Sequence, residues 1–119
     1  MKLKEIKSIL EARVITGEES LEKEIKTVYG SDLMSDVLTF VKPGALLLTG
    51  LTNSQVVRTA EISDVSAICF ICGKEPQSET VKLAKKNNVP VLVTRFSMYE
   101  SCGRLFKEGI SSCCSCDKK

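Results

Sequence analysis

The sequence predicts an α/β fold, a three-layer sandwich whose mainly parallel sheet has about four or five strands. Two observations lead to this prediction. Short apolar runs alternate with helical patterns along the chain, and the connections between them are only a few residues long. Three of the apolar runs are also continuous, as in strands that are buried on both faces. Alternating strands and helices of this kind form parallel pairs through right-handed crossovers, with helices covering both faces of the sheet.

The three clearest strands lie in the second half of the chain. They are GALLLTG (44–50), SAICFICG (66–73) and VPVLVTR (89–95). The first two end in glycine, and the third is rich in β-branched residues.

A helix is expected after each of these strands. The first has Asn53 or Ser54 as its N-cap, the second has Ser78 as a candidate cap and closes at Asn87–Asn88, and the third runs from near Ser97 to Gly109. The apolar stripe of the first helix consists of Val56, Val57, Ala60 and Ile62.

The first half of the chain is less regular. A helix to about Ala12 precedes a short strand RVITG, and EESLEKEI predicts a brief polar helix or turn. KTVYGSD then suggests a strand and LMSDVLTFV a short helix. The predicted domain spans residues 1–110, and residues 111–119 form a cysteine-containing C-terminal tail.

Composition narrows the function. The 119 residues fit one domain, and 17 basic and 15 acidic residues give a net charge of +2. Neither this balance nor the aromatic content of 5% provides the basic stripe or stacking platforms of a nucleic-acid-binding protein. No run approaches the ~20 apolar residues of a membrane span, and no signal peptide opens the chain. We therefore expect a cytoplasmic protein that contacts neither nucleic acid nor membrane.

A ligand site is expected where the parallel strands end and the next helices begin. Three loops meet there: TGLTNSQ (49–55), CGKEPQ (72–77) and TRFSMY (94–99). Helix N-termini, with Lys74 and Arg95 nearby, would suit an anion such as a phosphate. The candidate residues are Thr49, Gly50, Asn53, Ser54, Gly73, Lys74, Thr94, Arg95 and Ser97. The alternative is that these residues cap helices and form turns, since the loops match neither G-x-x-x-x-G-K-[ST] nor G-x-G-x-x-G.

Catalysis finds little support. Histidine is absent, and no spacing in the chain nominates a base for a nucleophile. A thiol enzyme using Cys72 or Cys102 is the weakest hypothesis, so the protein is predicted not to be an enzyme. Within CFIC (69–72), residues three apart on a strand point to opposite faces, which predicts that Cys69 packs in the core and leaves Cys72 as the better functional thiol.

The cysteines of the tail offer an alternative function. Cys113, Cys114 and Cys116 could converge on zinc or an iron–sulfur cluster, with Cys102, Cys72, a partner chain or water as the fourth ligand. A Cys-Cys-x-Cys run falls short of the usual spacings of both sites. Two alternatives are that the tail cysteines bind metal adventitiously or form disulfides, or that the tail is inert and holds no cofactor.

From Lys42 onward the sequence resembles a DRTGG domain. The marks of the resemblance are QVVRTAEI, GKEP and SMYESCGRLFKEGI, with a looser match through IKSILEARVITGEE and GSDLMSDVL. It is most similar to stand-alone members encoded beside iron-only hydrogenase genes. The Asp-Arg pair of the family motif would fall near Thr52–Asn53, where neither residue is kept, and its Thr-Gly-Gly would fall on 71–73, where Gly73 alone is kept.

This resemblance implies a fold related to the amino-terminal domain of HPr kinase, and a regulatory or dimerising role like that of DRTGG domains that accompany CBS pairs. It implies a non-catalytic, homodimeric binding module for a small anionic ligand, such as a nucleotide, or for a partner protein, such as a hydrogenase-related one. The alternative is a metal or iron–sulfur accessory protein that uses the C-terminal cysteines.

Overall fold

Six strands form one sheet, and five α-helices lie on its two faces, in a computed structural model that describes residues 1–113. The strands are Arg13–Thr16 (β1), Thr27–Gly30 (β2), Ala45–Thr49 (β3), Ala67–Phe70 (β4), Val91–Val93 (β5) and Ser111–Ser112 (β6). The helices are Leu3–Ile9 (α1), Met34–Phe40 (α2), Gln55–Ile62 (α3), Ser78–Lys86 (α4) and Met98–Lys107 (α5). A turn of 3₁₀ helix covers Glu18–Ser20.

The sheet is mixed, with the strand order β1-β5-β4-β3-β2-β6. β1 pairs antiparallel with β5 at one edge, and the other neighbouring strands run parallel. The prediction of a mainly parallel sheet with four or five strands is therefore corrected in two respects: the sheet has six strands, and it is mixed because β1 is antiparallel to β5. The sixth strand has only two residues, too few for any periodic pattern, and strand direction in the first half of the chain depends on pairing partners that are remote in sequence.

Side chains that alternate along the strands build one apolar core on each face of the sheet. Leu47 faces a core that contains residues of α2, α3 and α4, including Val37, Val57 and Ala84. Leu46 and Leu48 face the opposite core, which contains Leu3, Ile6 and Leu10 from the α1 region and Leu105 from α5. The two cores make β3 buried at all five positions, as its continuous apolar run predicts.

Three helices end in the same way. Glu11, Asp64 and Asn88 adopt left-handed φ angles of 50°, 56° and 57°. The residue after each one donates its N–H to the carbonyl five positions earlier, at 2.8 to 2.9 Å, which closes the helix as in a Schellman motif. That residue is apolar each time and turns the chain back towards the sheet. The Asn87–Asn88 closure of α4 is thus confirmed.

Two details differ from the predicted helices. The buried apolar face of α3 consists of Val56, Val57 and Ala60. Ile62, which was predicted to belong to it, is 76% exposed. The N-cap residue of α4 is Gln77, and Ser78 is already helical. Within residues 1–113, no helix is long and apolar enough to cross a membrane.

Thr94 joins the end of β5 to the end of α1. Its hydroxyl is buried and donates to the Leu10 carbonyl at 2.6 Å, while the Thr94 hydroxyl oxygen accepts from the Phe96 N–H at 3.3 Å. The predicted ligand residue Thr94 therefore holds two layers of the fold together.

We predict that Thr94→Val lowers the free energy of unfolding by about 1–3 kcal/mol, because it leaves the Leu10 carbonyl buried without its donor. Urea unfolding followed by circular dichroism measures this change. Thr94→Ser retains the hydroxyl and should lose about 1 kcal/mol, the contribution of the methyl group. A Thr94→Val protein as stable as the wild type would contradict the assigned role.

Candidate functional site

The carboxyl ends of β2, β3 and β4 meet at one edge of the sheet, where ligands of parallel sheets commonly bind. Asp32 follows β2, Thr49 ends β3 and Gly50 follows it, and Lys74 follows β4. We call these four residues the strand-end site.

The carboxylate of Asp32 organises this site. Its Oδ1 accepts hydrogen bonds from the Thr49 hydroxyl at 3.0 Å and from the Gly50 N–H at 2.6 Å. The Thr49 hydroxyl oxygen in turn accepts from the Leu51 N–H at 3.1 Å. Among the residues that the structure describes, none donates to Oδ2 of Asp32. One carboxylate oxygen therefore fixes the loop after β3, and the other can bind a ligand.

Gly50 separates two opposite charges. A Cβ placed on Gly50 would lie 3.4 Å from Nζ of Lys74 and 3.6 Å from both carboxylate oxygens of Asp32. Asp32 and Lys74 nevertheless form no ion pair with each other, and Lys74 has none with any carboxylate in residues 1–113. The missing side chain of glycine thus leaves open a space that has an ammonium on one side and a carboxylate on the other.

A tight turn over residues 71–74 positions Lys74. The Lys74 N–H donates to the Ile71 carbonyl at 3.1 Å, and Cys72 and Gly73 have φ angles of 58° and 65°. Two positive φ angles are typical of a type I′ turn, in which glycine is favoured. The Cys72 and Gly73 N–H groups donate to carbonyls of the segment after β5, both at 2.8 Å. These bonds hold the turn, and with it the backbone of Lys74, beside the sheet.

The predicted ligand residues separate into two groups. Thr49, Gly50 and Lys74 come together in the strand-end site, and Gly73 lies in the turn that carries Lys74. The remaining five have partners within the protein. Thr94 bonds to Leu10, Arg95 pairs with Glu11 at 2.9 Å, Ser97 caps α5 by accepting from the Glu100 N–H, Asn53 accepts from the Gln55 N–H, and Ser54 accepts from Arg58.

Asp32 is the residue that the sequence reasoning missed. It is the last residue of the predicted strand segment KTVYGSD, so its position at the end of a strand was visible. The direction and neighbour of that strand were not visible. Once β2 pairs in parallel with β3, Asp32 comes to lie beside Gly50.

A groove of about 490 Å³ runs between α5 and the strands β2 and β6. Its lining residues are all uncharged and most are apolar; they include Val28, Gly30, Tyr99, Cys102, Leu105 and Phe106. Tyr99 is 90% exposed and Phe106 is 77% exposed. We call this feature the α5 groove. Sequence patterns do not reveal this groove, because one of its walls is the two-residue strand β6.

The described thiols have different surroundings. Cys69 is buried between the sheet and its helices, and burial raises its pKa to about 12, which confirms its predicted packing role. Cys102 is half-buried in the α5 groove, and burial raises its pKa as well. Cys72 is exposed, whereas Cys113 is buried with its Sγ 2.9 Å from the Thr27 hydroxyl. Neither Cys69 nor Cys102 is therefore an activated thiolate at neutral pH.

The structure tests the predicted metal ligands only in part. Among residues 1–113, no three cysteine or acidic side chains cluster closely enough to hold an ion. Cys102 and Cys113 are described, but Cys114 and Cys116 lie outside the described residues. Ser111 and Ser112 pair with β2, so the described start of the predicted tail extends the sheet.

Comparison with known proteins identifies the family. The DRTGG domain matches residues 5–107 of this chain. None of the curated proteins compared with the chain matches it. Among solved structures, the chain is similar to the CBS and DRTGG domains of the regulatory region of Clostridium perfringens pyrophosphatase, which was solved in complex with its activator, diadenosine tetraphosphate.

That similarity has a TM-score of 0.69 at 21% sequence identity, and it covers 87% of this chain and 45% of the other. At this identity it shows a shared fold, and the present chain spans less than half of the regulatory region. The family match covers most of the sequence, with its edges inside α1 and at the end of α5. This chain belongs to the DRTGG domain family.

Proposed function

We propose that this protein is a non-catalytic regulatory module that binds a small anionic ligand at the strand-end site. The observation that carries the proposal is the ammonium group of Lys74, which lies beside Gly50 without an ion pair in the described part of the chain. A cation held beside an open space, at the edge where three parallel strands end, suits a phosphate or carboxylate of a ligand.

The family supports a regulatory role. The similar regulatory region of the Clostridium perfringens pyrophosphatase has a nucleotide, diadenosine tetraphosphate, as its activator. This makes a nucleotide the first ligand class to test here. The position of the site is argued from the residues of this chain alone.

The chemistry of the site supports binding rather than catalysis. The chain has no histidine, and one oxygen of Asp32 is committed to holding the loop after β3. Burial raises the pKa of Cys102, which disfavours a thiolate nucleophile in the α5 groove.

We predict that nucleotides or pyrophosphate raise the melting temperature of the wild-type protein, because a ligand that binds the folded state stabilises it. Lys74→Met should raise the dissociation constant roughly 10- to 100-fold, as expected for the loss of a charge-assisted hydrogen bond of about 1.5–3 kcal/mol. Thermal shift and isothermal titration calorimetry measure both effects.

Lys82→Met is the matched control. Lys82 is an exposed lysine in a separate groove of about 260 Å³ between α3 and α4, where Ser54, Arg58 and Lys86 also lie. Its substitution should leave binding unchanged. A flat response of the wild type to adenine and guanine nucleotides and to pyrophosphate, or a loss of binding in Lys82→Met instead, would contradict the proposed site.

Other parts of the proposal come from the sequence. The resemblance supports a homodimer, a relation to the amino-terminal domain of HPr kinase, and an association with iron-only hydrogenase systems through a partner protein. A cytoplasmic location is proposed from the sequence composition. Gene neighbourhood alone indicates no chemistry, so we propose the hydrogenase association as context for the module and not as its activity.

The alternative function is a metal or iron–sulfur accessory protein with Cys113, Cys114 and Cys116 as ligands. Cys113 contacts Thr27 at the start of β2, whereas Cys102 lies against Gly30 at its end. Thr27 and Gly30 are three residues apart on β2, a distance of about 10 Å. Cys102 and Cys113 are therefore placed unfavourably for binding the same ion.

We predict that protein purified without oxygen is colourless and free of stoichiometric zinc and iron. Elemental analysis and the visible spectrum provide the measurement. A chromophore or bound metal that disappears in a Cys114→Ser/Cys116→Ser variant, with the fold unchanged by circular dichroism, would instead establish the metal-binding function.

A further inference from the structure

We propose that the strand-end site and the α5 groove together form one site for a purine nucleotide. The base lies in the α5 groove, the ribose hydroxyls bind Asp32, and the phosphate binds Lys74. This inference rests on the proposed function, since it names the ligand class and extends the same site.

The two features adjoin each other along the chain. Gly30 is the last residue of β2 and lines the α5 groove, and Asp32 follows two residues later. Two residues of extended chain span at most about 7 Å. A nucleoside whose base occupies the end of the groove near Gly30 can therefore present its ribose to Asp32.

Gly30 and the first turns of α5 shape that end of the groove. A Cβ on Gly30 would lie 2.9 Å from Sδ of Met98 and 3.4 Å from Sγ of Cys102. The glycine thus lets α5 pack closely against β2 at the point where the groove reaches the end of the strand. Tyr99 stands at the same end of α5 and is 90% exposed.

The lining of the groove suits a base better than a charged group. None of its lining residues carries a charge, and its volume of about 490 Å³ lies within the range of about 300–1,000 Å³ that is typical of ligand pockets. Phe106, 77% exposed, lies two turns along α5 from Tyr99. Exposed aromatic rings beside an apolar groove provide stacking surface for a planar base.

The charges of the strand-end site suit the rest of a nucleotide. An inorganic phosphate can pair with Lys74 but carries no sugar hydroxyl to donate to the carboxylate of Asp32, whereas a nucleotide satisfies both groups. Carboxylates bind ribose hydroxyls in many dinucleotide sites, and ammonium groups bind phosphate oxygens. Oδ2 of Asp32, which accepts no hydrogen bond from the described residues, is the oxygen available for the ribose.

The test is a titration of matched ligands against matched variants by calorimetry. The ligands are AMP, GMP, adenosine, ribose 5-phosphate and pyrophosphate, and the variants are Tyr99→Ala and Lys74→Met. Ile62→Ala is the control, since Ile62 is 76% exposed on α3, outside the groove. We expect Tyr99→Ala to weaken the binding of AMP or GMP at least about fivefold, the lower limit for loss of a stacked base. Lys74→Met should weaken the binding of ribose 5-phosphate and leave that of adenosine unchanged, Tyr99→Ala should do the reverse, and Ile62→Ala should change neither.

The outcomes separate the two proposals. If pyrophosphate and ribose 5-phosphate bind through Lys74 but AMP and GMP bind no better, and Tyr99→Ala has no effect, the base site is overturned and the anion site stands. If none of the five ligands binds, both proposals fall. If Tyr99→Ala converts a dimer to a monomer without changing nucleotide affinity, the groove is an interface between copies, and the base site is also overturned.

The thiol of Cys102 provides a second readout that needs no change in the groove. In a Cys72→Ser protein, a saturating purine nucleotide should slow alkylation of Cys102 at least fivefold, whereas ribose 5-phosphate should not. Mass spectrometry of peptides assigns the modified residue. An alkylation rate that nucleotide leaves unchanged would overturn the placement of the base.

Discussion

Parallel pairing of β2, β3 and β4 is the constraint on which the candidate site depends. The register sets Gly30 opposite Leu48 and Thr49 opposite Phe70. Continued for two residues, the first pairing brings Asp32 beside Gly50, and the Ser31 N–H bond to the Leu48 carbonyl at 3.0 Å shows that the pairing does continue. If the register between β2 and β3 were shifted by one residue, Asp32 would no longer lie beside its two donors, the Thr49 hydroxyl and the Gly50 N–H. The parallel register of the sheet thus determines where the residues of the strand-end site meet; the sequences of the loops alone do not.

The same sheet changes from apolar core to polar site within one residue. Leu46, Leu47 and Leu48 are fully buried between two layers of helices, and the next residue, Thr49, is also fully buried. Burial of a hydroxyl without a partner would be unfavourable, and Asp32 removes that cost by accepting its hydrogen bond. The carboxylate therefore contributes to the fold with one oxygen and leaves the other for recognition. Two hydrogen bonds to one oxygen thus position an exposed carboxylate at the surface.

Sequence reasoning succeeded where patterns are local and failed where they depend on pairing. The three central strands have continuous apolar runs, so their burial and the packing of Cys69 could be predicted from composition and position. Strand β6 has two serines and exists because β2 offers it a free edge, which no local pattern reveals. The antiparallel direction of β1 depends on pairing with β5, some eighty residues away. The missed strand β6 concealed one wall of the α5 groove.

The candidate residues show the same division. Lys74 was found because it follows a recognisable strand, but Asp32 was missed because its strand could not be assigned a neighbour. Arg95 and Ser97 also follow a strand, yet the structure pairs Arg95 with Glu11 and uses Ser97 to cap α5. A position at the end of a strand thus marks a residue as a candidate for ligand binding. Whether its side chain is already bonded within the protein can be seen only in the folded structure.

The most direct measurement of the central claim is the map of backbone amide chemical shifts during titration with AMP. We expect the largest changes at residues 31–32, 50–51 and 74, and along the first turns of α5 at Tyr99 and Cys102. Changes confined to the groove of Arg58 and Lys82, or no changes at millimolar AMP, would contradict the proposed nucleotide site.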